Sequence, residues 1–218
     1  MRQIIVALKC EAKPIIHRYG LKRLSGKHAF AVYENDDIML TISGWGKVAS
    51  AAATSFVHTF TGMHSHSAWL NIGIAGHRER AIGQGVLAQK ISDVATGRNW
   101  YPPMIIDVPC ELENLLTVDK VEENFHENAV YEMEAAGFYE TASRFSTAEL
   151  IHCYKVISDN KLSSVSGISA DVVTKLVESA MQDIEIILSG LKKLSDELCA
   201  IDSLPESYKE ICDRWHFS

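Results

Sequence analysis

The sequence lacks an apolar run long enough to cross a bilayer, for which a helix needs about 20 apolar residues. The apolar stretch near its start, Ile4–Leu8, stops at Lys9 and is also too short for the core of a secretory signal. We therefore expect a cytoplasmic protein with no membrane partner.

An excess of positive charge is also missing. The 28 Asp and Glu residues outnumber the 21 Lys and Arg residues, which gives a formal net charge of −7 at pH 7. Phosphate backbones and anionic lipid headgroups repel a protein of this charge. We expect neither nucleic acid nor a membrane surface as the main partner.

Motifs for disulfides and metals are absent as well. The five cysteines are odd in number and include no Cys-x-x-Cys pair, so we expect reduced thiols. The close histidine pair in His64-Ser65-His66 has no cysteine or acidic residue beside it. We therefore expect no metal site there.

No internal repeat or low-complexity segment divides the chain. Its 218 residues, 47% hydrophobic and 22% charged, suit one soluble globular core. We predict a single domain over residues 1–218. A short tail, residues 206–218, is expected to cover an apolar surface.

Apolar runs and helical periodicities alternate along the chain, which is typical of an α/β fold with a covered central sheet. The predicted strands are Gln3–Lys9, His28–Tyr33, Asp37–Ser43, Ala68–Ile72, Gly85–Ile91 and Ile151–Ile157. The predicted helices are Glu11–Arg18 with Pro14 in its first turn, Gly46–Phe60, and one long amphipathic helix from Ser169 to about Ile201.

The most informative stretch runs from Tyr131 to Tyr139 and places two glutamates around a methionine. A short extended segment leads into a helix, whose apolar spacing is set by Ala135, Phe138, Tyr139 and Ala142. The dipole at a helix N-terminus favours ionised carboxylates. Such a carboxylate can accept hydrogen bonds from adjacent hydroxyl groups of a sugar, although an ordinary N-terminal charge pair is the alternative.

Further functional candidates follow the predicted strands. Glu11 follows the first strand, Gly73–Gly76 follows Ala68–Ile72, and Asp159 follows the last. Open α/β sheets bind ligands beyond the carboxyl ends of their strands. Because clustering buried carboxylates is costly, convergence of Glu11 and Asp159 with Glu134 would favour a functional site. Singly, each has a structural alternative as a residue near a helix start or in a turn.

Five short motifs occur in a fixed order: Glu11 after a strand, Ser43–Ala49, Asn71–Gly76, Glu132–Ala135 and Ile157–Asp159. In this order they resemble the motifs of purine nucleoside phosphorylases and nucleosidases, in particular the branch that includes methylthioadenosine/S-adenosylhomocysteine nucleosidase. The resemblance implies a three-layer αβα sandwich around a mixed, partly barrel-like sheet. It also implies a homo-oligomer, with a dimer favoured.

The same resemblance implies cleavage of the N-glycosidic bond between ribose and a purine, without a metal or organic cofactor. Asp159 would be the general acid on the base, and Glu11 would orient the attacking water. Glu134 would accept the ribose hydroxyls, and Met133 would pack against the sugar. The remaining substrate contacts implied in this way are Glu132, Gly73, Ile74, Ala75, Lys155 and Val121.

Hydrolysis or phosphorolysis depends on the site of the nucleophile. Phosphorylases of the family carry an arginine before the glycine segment and a serine within it, where this chain has Asn71 and Ile74. A divalent anion needs several cations or donors, so these residues favour water over phosphate. A phosphorylase stays open if the loop with Arg78 and Arg80 folds back.

Three departures from the family pattern keep other outcomes open. Ile74 cannot supply the serine that holds the attacking water in nucleosidases, and Lys155 stands where they have an arginine. Residues 117–121 offer no ring to stack on a base. We expect a purine nucleoside hydrolase, with an unusual substrate or a non-catalytic nucleoside- or partner-binding module as the alternatives.

Overall fold

The structure, a computed structural model, describes residues 1–62, 65–163, 168–202, 208 and 214. The strands are β1 Arg2–Val6, β2 Lys22–Arg23, β3 Ala31–Glu34, β4 Ile38–Ile42, β5 Ala68–His77, β6 Gly85–Asp93, β7 Asn99–Trp100, β8 Glu111–Thr117, β9 Val130–Glu132 and β10 Ile151–Asp159. The helices are α1 Lys9–Tyr19, α2 Lys47–Phe60, α3 Ala135–Ala142, α4 Ala170–Ser179 and α5 Met181–Asp202, with a 3₁₀ turn at Ala148–Leu150.

The described strands form one mixed sheet that closes on itself in part. β5 pairs with β10, β10 with β6, β6 with β8, β8 with β9, and β9 with β5, which makes a five-stranded barrel. From β5 the sheet continues outward through β1, β4, β3 and β2. Parallel pairs join β1 to β4 and β5, and an antiparallel hairpin joins β3 to β4. This confirms the predicted mixed, partly barrel-like sheet.

Helices cover both faces of the sheet and give the predicted three layers. Helices α1, α4 and α5 bury side chains such as Ile15, Val177 and Ile187 against one face. Helices α2 and α3 bury Val57 and Phe138 against the other. Within the described residues, no helix is both long and apolar enough to span a membrane.

Helix α1 begins two residues earlier than predicted. Pro14 therefore lies beyond the first turn, where it cannot donate the helical hydrogen bond to the carbonyl of Cys10. The hydroxyl of Thr174 in α4 donates to that carbonyl at 3.1 Å. The proline is accommodated because a neighbouring helix supplies the missing donor.

One interpretation of the sequence was that Gly73–Gly76 forms a tight turn. The structure contradicts it, because these residues belong to strand β5. Strand β5 runs through Gly73–Gly76 to His77, and β10 likewise continues to Asp159. A Cβ atom at Gly73 would lie 3.1 Å from Oε1 of Glu11 and 3.4 Å from Nζ of Lys155. The glycines keep the strand regular while leaving room for functional side chains.

The prediction of one helix from Ser169 to Ile201 is wrong. The chain breaks at Ala180 into α4 and α5, so that α4 packs on α1 while α5 lies across β1 and β5. In α4, Val172 is 45% exposed, whereas Val173 and Val177 are buried. Most of the predicted tail, 206–218, lies outside the described residues, as does His64.

Candidate active site

A cleft of about 320 Å³ opens at the carboxyl ends of β1, β5 and β10. Its walls come from α1, the segment before α2, β9, the start of α3 and the connection 118–129. The lining residues are Ala7, Leu8, Glu11, Trp45, Ile74, Ala75, Gly76, Val118, Val121, Glu122, Tyr131, Glu132, Met133, Glu134, Ser158, Asp159, Ile168 and Val173. The acids singled out in the sequence therefore meet in one place.

Glu11 is fixed in this cleft by two backbone donors. Its Oε2 accepts from the N–H of Leu8 at 2.8 Å, and its Oε1 accepts from the N–H of Ile74 at 3.0 Å. Burial raises its pKa to about 7, although these hydrogen bonds and the charge of Lys155 oppose the shift. At neutral pH Glu11 can therefore exchange a proton with a bound group.

Glu132 is occupied by protein donors. Its Oε2 accepts from the N–H groups of Glu134 and Ala135 at 2.9 and 2.7 Å, which caps helix α3. Its Oε1 accepts from the hydroxyl of Thr117, which in turn accepts from the N–H of Ala136 at 3.0 Å. We expect Glu132 to hold the start of α3 in place more than to contact a ligand.

Lys155 lies beneath the two glutamates and is fully buried. Its Nζ is 3.0 Å from Oε2 of Glu132 and 3.9 Å from Oε2 of Glu134, in an ion pair without hydrogen-bond alignment. Burial alone would lower the pKa of Lys155, but the charges of Glu132 and Glu134 outweigh burial and raise it. The lysine is a buried cation that partly balances the acidic cleft.

Glu134 keeps one oxygen tied to the backbone. Its Oε1 accepts from the N–H of Gly46 at 2.9 Å, which connects α3 to the segment before α2. Burial raises its pKa, the charge of Lys155 lowers it, and the charge of Glu132 adds to the increase. Its Oε2 lies 3.9 Å from Nζ of Lys155, and we expect this oxygen to be the one that meets a ligand.

Asp159 lies at the end of β10 and is 4% exposed. Its Oδ1 accepts from the hydroxyl of Ser158 at 2.6 Å. Burial raises its pKa, and the Ser158 hydrogen bond opposes that increase. A carboxyl in these surroundings retains its proton to higher pH than one in water.

The cations that follow the glycine segment do not line this cleft. Arg80 is engaged by Glu111 and Glu113 at 2.7 and 2.6 Å, and Arg78 lies 3.3 Å from Glu79. The amide of Asn71 donates to the carbonyl of Ile5 at 3.1 Å. Among the described lining residues the charged side chains are all acidic.

Eight of the ten predicted site residues line the cleft. The other two, Gly73 and Lys155, lie behind Glu11 and the glutamates. The other ten lining residues were not assigned from the sequence. Of these, Trp45, Tyr131 and Ser158 lie within motifs quoted there, whereas Glu122 gave no signal. No group of three or more His, Cys, Asp or Glu side chains in the described ranges could hold a metal ion.

The fold matches solved structures of nucleosidases at low sequence identity. A 5′-methylthioadenosine/S-adenosylhomocysteine nucleosidase from Helicobacter pylori, with butyl-thio-DADMe-Immucillin-A, gives a TM-score of 0.69 at 15% identity over 86% of this chain and 97% of that one. The corresponding S. pneumoniae enzyme with MT-ImmA gives 0.69 at 19%, over 88% and 100%. Futalosine hydrolase of Helicobacter pylori gives 0.68 at 15%, over 86% and 97%.

No family model and no curated protein matches the sequence. The structural likeness confirms the fold predicted from the five motifs. The activity has to be argued from the cleft itself.

Proposed function

We propose that this protein hydrolyses the N-glycosidic bond of a purine nucleoside or a 5′-modified adenosine derivative. The observation that carries the proposal is the meeting of Glu11, Glu134 and Asp159 in one cleft. Burying these like charges together destabilises the fold, and a role in chemistry explains why they lie there. The solved nucleosidases with this fold add support.

Asp159 is the proposed general acid. Departure of a purine needs a proton or a strong hydrogen bond on the base, because the bond breaks toward an oxocarbenium-like sugar and an electron-rich base. Burial raises the pKa of Asp159, so its carboxyl holds that proton to higher pH than an aspartate in water does. The hydroxyl of Ser158 orients it.

Glu134 and Met133 form the proposed ribose site. Oε2 of Glu134 is available for the ribose hydroxyls, while Gly46 and helix α3 fix the rest of the side chain. A carboxylate at this position also stabilises positive charge developing on the sugar. Met133 lines the cleft beside it and offers an apolar surface to the ring.

Glu11 is the proposed group that orients and deprotonates water. A base must be ionised to act, and a pKa of about 7 leaves a large ionised fraction at neutral pH. Ile74 has no hydroxyl to hold the water, but its backbone N–H holds Glu11, so the water would be oriented by this carboxylate.

Phosphorolysis is the less favoured reaction because the described lining offers no cation to a divalent anion. The side chain nearest to such a role, Lys155, is buried behind Glu132 and Glu134. To bind phosphate in the cleft, Arg80 would have to break its ion pairs with Glu111 and Glu113. A phosphate placed in this cleft would face acids instead of donors.

Release of free base tests the proposal. Adenosine, inosine, methylthioadenosine, adenosylhomocysteine and 5′-deoxyadenosine are incubated with the protein, with and without phosphate, and the products are separated by chromatography. We expect release without phosphate, and release that is slower by roughly 10²–10⁴-fold from Asp159→Asn. Release that requires phosphate and yields ribose 1-phosphate would indicate a phosphorylase, and binding without turnover would indicate a binding module.

We also propose that the protein is a cytoplasmic homodimer whose interface lies next to the cleft. Trp45, which lines the cleft, and Val48, in the first turn of α2, are 70% and 84% exposed, and a second copy would cover them. Light scattering of the wild type and of a Val48→Glu variant measures the mass. A monomeric wild type would contradict this part of the proposal.

A further inference from the structure

Phe125 has an unusual backbone conformation close to the cleft. In the described part of the chain it is the one residue besides glycine with a positive φ, at 46°. Bulky residues seldom adopt this left-handed conformation, and they keep it only where the surroundings enforce it. The side chain is 2% exposed, so packing of the ring is what holds the backbone there.

The ring of Phe125 shares the space above Gly76 with the carboxyl of Asp159. A Cβ atom at Gly76 would lie 2.6 Å from Cε1 of Phe125 and 2.7 Å from Oδ2 of Asp159. Phe125 also packs edge-on against Tyr131, with ring centroids 5.6 Å apart. Together with Leu116 and Ala129, these rings form a small apolar cluster of their own beside the cleft.

The two carboxyl oxygens of Asp159 have different surroundings. Oδ1 accepts the hydrogen bond of Ser158, whereas Oδ2 lies over Gly76 together with the Phe125 ring and accepts no hydrogen bond from the described residues. Shielding an oxygen from water without replacing the lost hydrogen bonds disfavours the ionised carboxyl. Oδ2 is therefore the oxygen on which a proton is retained.

Charged neighbours do not account for this effect. Of the described groups, only burial and the Ser158 hydroxyl influence the pKa of Asp159, and burial dominates by raising it. The other titratable side chains that line the cleft are Glu11 on α1, Glu122 on the connection 118–129, Tyr131 and Glu132 on β9, and Glu134 at the start of α3; Lys155 precedes Asp159 on β10, and His77 follows Gly76 on β5. Phe125 carries no charge, so its removal changes solvent access and no Coulombic interaction.

We propose that Phe125 is a positioning residue for the reaction proposed above, because its ring keeps water from Oδ2 of Asp159 and so preserves the proton that the leaving base receives. The assignment of Asp159 as the general acid belongs to the proposed function on which this inference rests. The shielding of Asp159 by Phe125 can be measured without any turnover.

The left-handed backbone allows the Phe125 ring to be removed without adding backbone strain. Phe125→Gly removes the ring while glycine adopts the same φ without strain. Phe125→Leu is the matched control, since it keeps an apolar side chain of similar size over the carboxyl. Asp159→Asn serves to assign the carboxyl signal of Asp159 in the NMR spectrum, because that signal is absent from this variant.

The experiment titrates the Asp159 carboxyl by ¹³C NMR in protein labelled at aspartate, and measures base release against pH on the same variants. We expect Phe125→Gly to lower the titration midpoint of Asp159 by roughly one pH unit or more, and Phe125→Leu to retain most of the wild-type midpoint. Since the acid must be protonated, the high-pH limb of kcat for base release should move to lower pH by the same amount.

An unchanged Asp159 midpoint in folded Phe125→Gly would overturn the inference, as would a fall in activity that is equal at every pH. If Phe125→Gly does not fold, Phe125→Ala provides the same comparison with Phe125→Leu. If wild type releases no base, the proposed function fails, while the NMR midpoints still decide whether Phe125 shields Asp159.

Discussion

Replacing Lys155 by methionine should be among the most destabilising single changes in this protein. Methionine approximates the length of the lysine side chain but removes the buried cation between Glu132 and Glu134. The ammonium and the Glu132 side chain are both 0% exposed, and the Glu134 side chain is 10% exposed. Water therefore has little access with which to replace the lost partner.

Leaving such carboxylates without a buried partner typically costs about 3–5 kcal/mol of unfolding free energy. For a chain of this size each kcal/mol corresponds to about 2–4 °C in Tm, so the Tm should fall by roughly 6–20 °C. Urea unfolding followed by circular dichroism gives the free energy directly. Lys193→Met is the matched control, because Lys193 is 81% exposed and 4.0 Å from Glu197, and it should change stability by less than about 0.5 kcal/mol.

The pH dependence of the unfolding free energy of Lys155→Met shows whether the loss of stability comes from the missing charge or from poorer packing. Burial already raises the pKa of Glu134 and Lys155 opposes that increase, so without Lys155 the folded-state pKa of Glu134 lies further above its unfolded value and the folded variant binds the proton more tightly. Its deficit relative to wild type should shrink as the pH falls from 7 toward 5. A Lys155→Met variant within about 1 kcal/mol of wild type at pH 7, or a deficit independent of pH, would refute the electrostatic role.

Four further predictions concern the cleft and two glycines. Asp159→Asn should lower base release by roughly 10²–10⁴-fold while nucleoside binding by calorimetry persists, and a variant of near wild-type rate would exclude Asp159 as the acid. The low-pH limb of kcat/KM should fall near pH 7, because Glu11 acts ionised and burial raises its pKa to about 7; a limb near pH 4 would contradict that role. Gly73→Ala should reduce base release roughly tenfold or more by displacing Glu11, 3.1 Å from the new Cβ. Gly137→Ala places a Cβ 2.1 Å from the Lys47 carbonyl and should instead lower the unfolding free energy by about 1–3 kcal/mol in urea, and equal stability would show that α2 and α3 can separate freely.

The sequence predicted the layers of the fold because apolar periodicity reports burial directly. Its errors occur where tertiary packing overrides local signals. Strand β8, Glu111–Thr117, was missed since its first half carries polar side chains at the sheet surface. The break at Ala180 has no local signal either, because alanine favours helices and the break serves the packing of α4 on α1.

Part of the site was also predictable from the sequence. Acids at strand ends identified Glu11 and Asp159, and the helix start identified Glu134. The glycines were open to misreading as a turn, because a sequence cannot show that Gly73 makes room for Glu11 and Gly76 for Phe125 and Asp159. Phe125 itself gave no signal, since its importance lies in a backbone angle and in the position of its ring over Gly76, 49 residues earlier in the sequence.

The charge balance of the cleft limits the ligand it can accept. Glu11, Glu134 and Asp159 face it with the buried Lys155 as partial counterion, and burial raises the pKa values of all three acids. Protonation relieves part of the repulsion, and a cationic transition state relieves more, because its charge develops between the same carboxylates. A ligand that brings a phosphate adds repulsion instead. The clustered carboxylates that destabilise the unliganded protein therefore favour a neutral nucleoside that becomes positively charged as its glycosidic bond breaks.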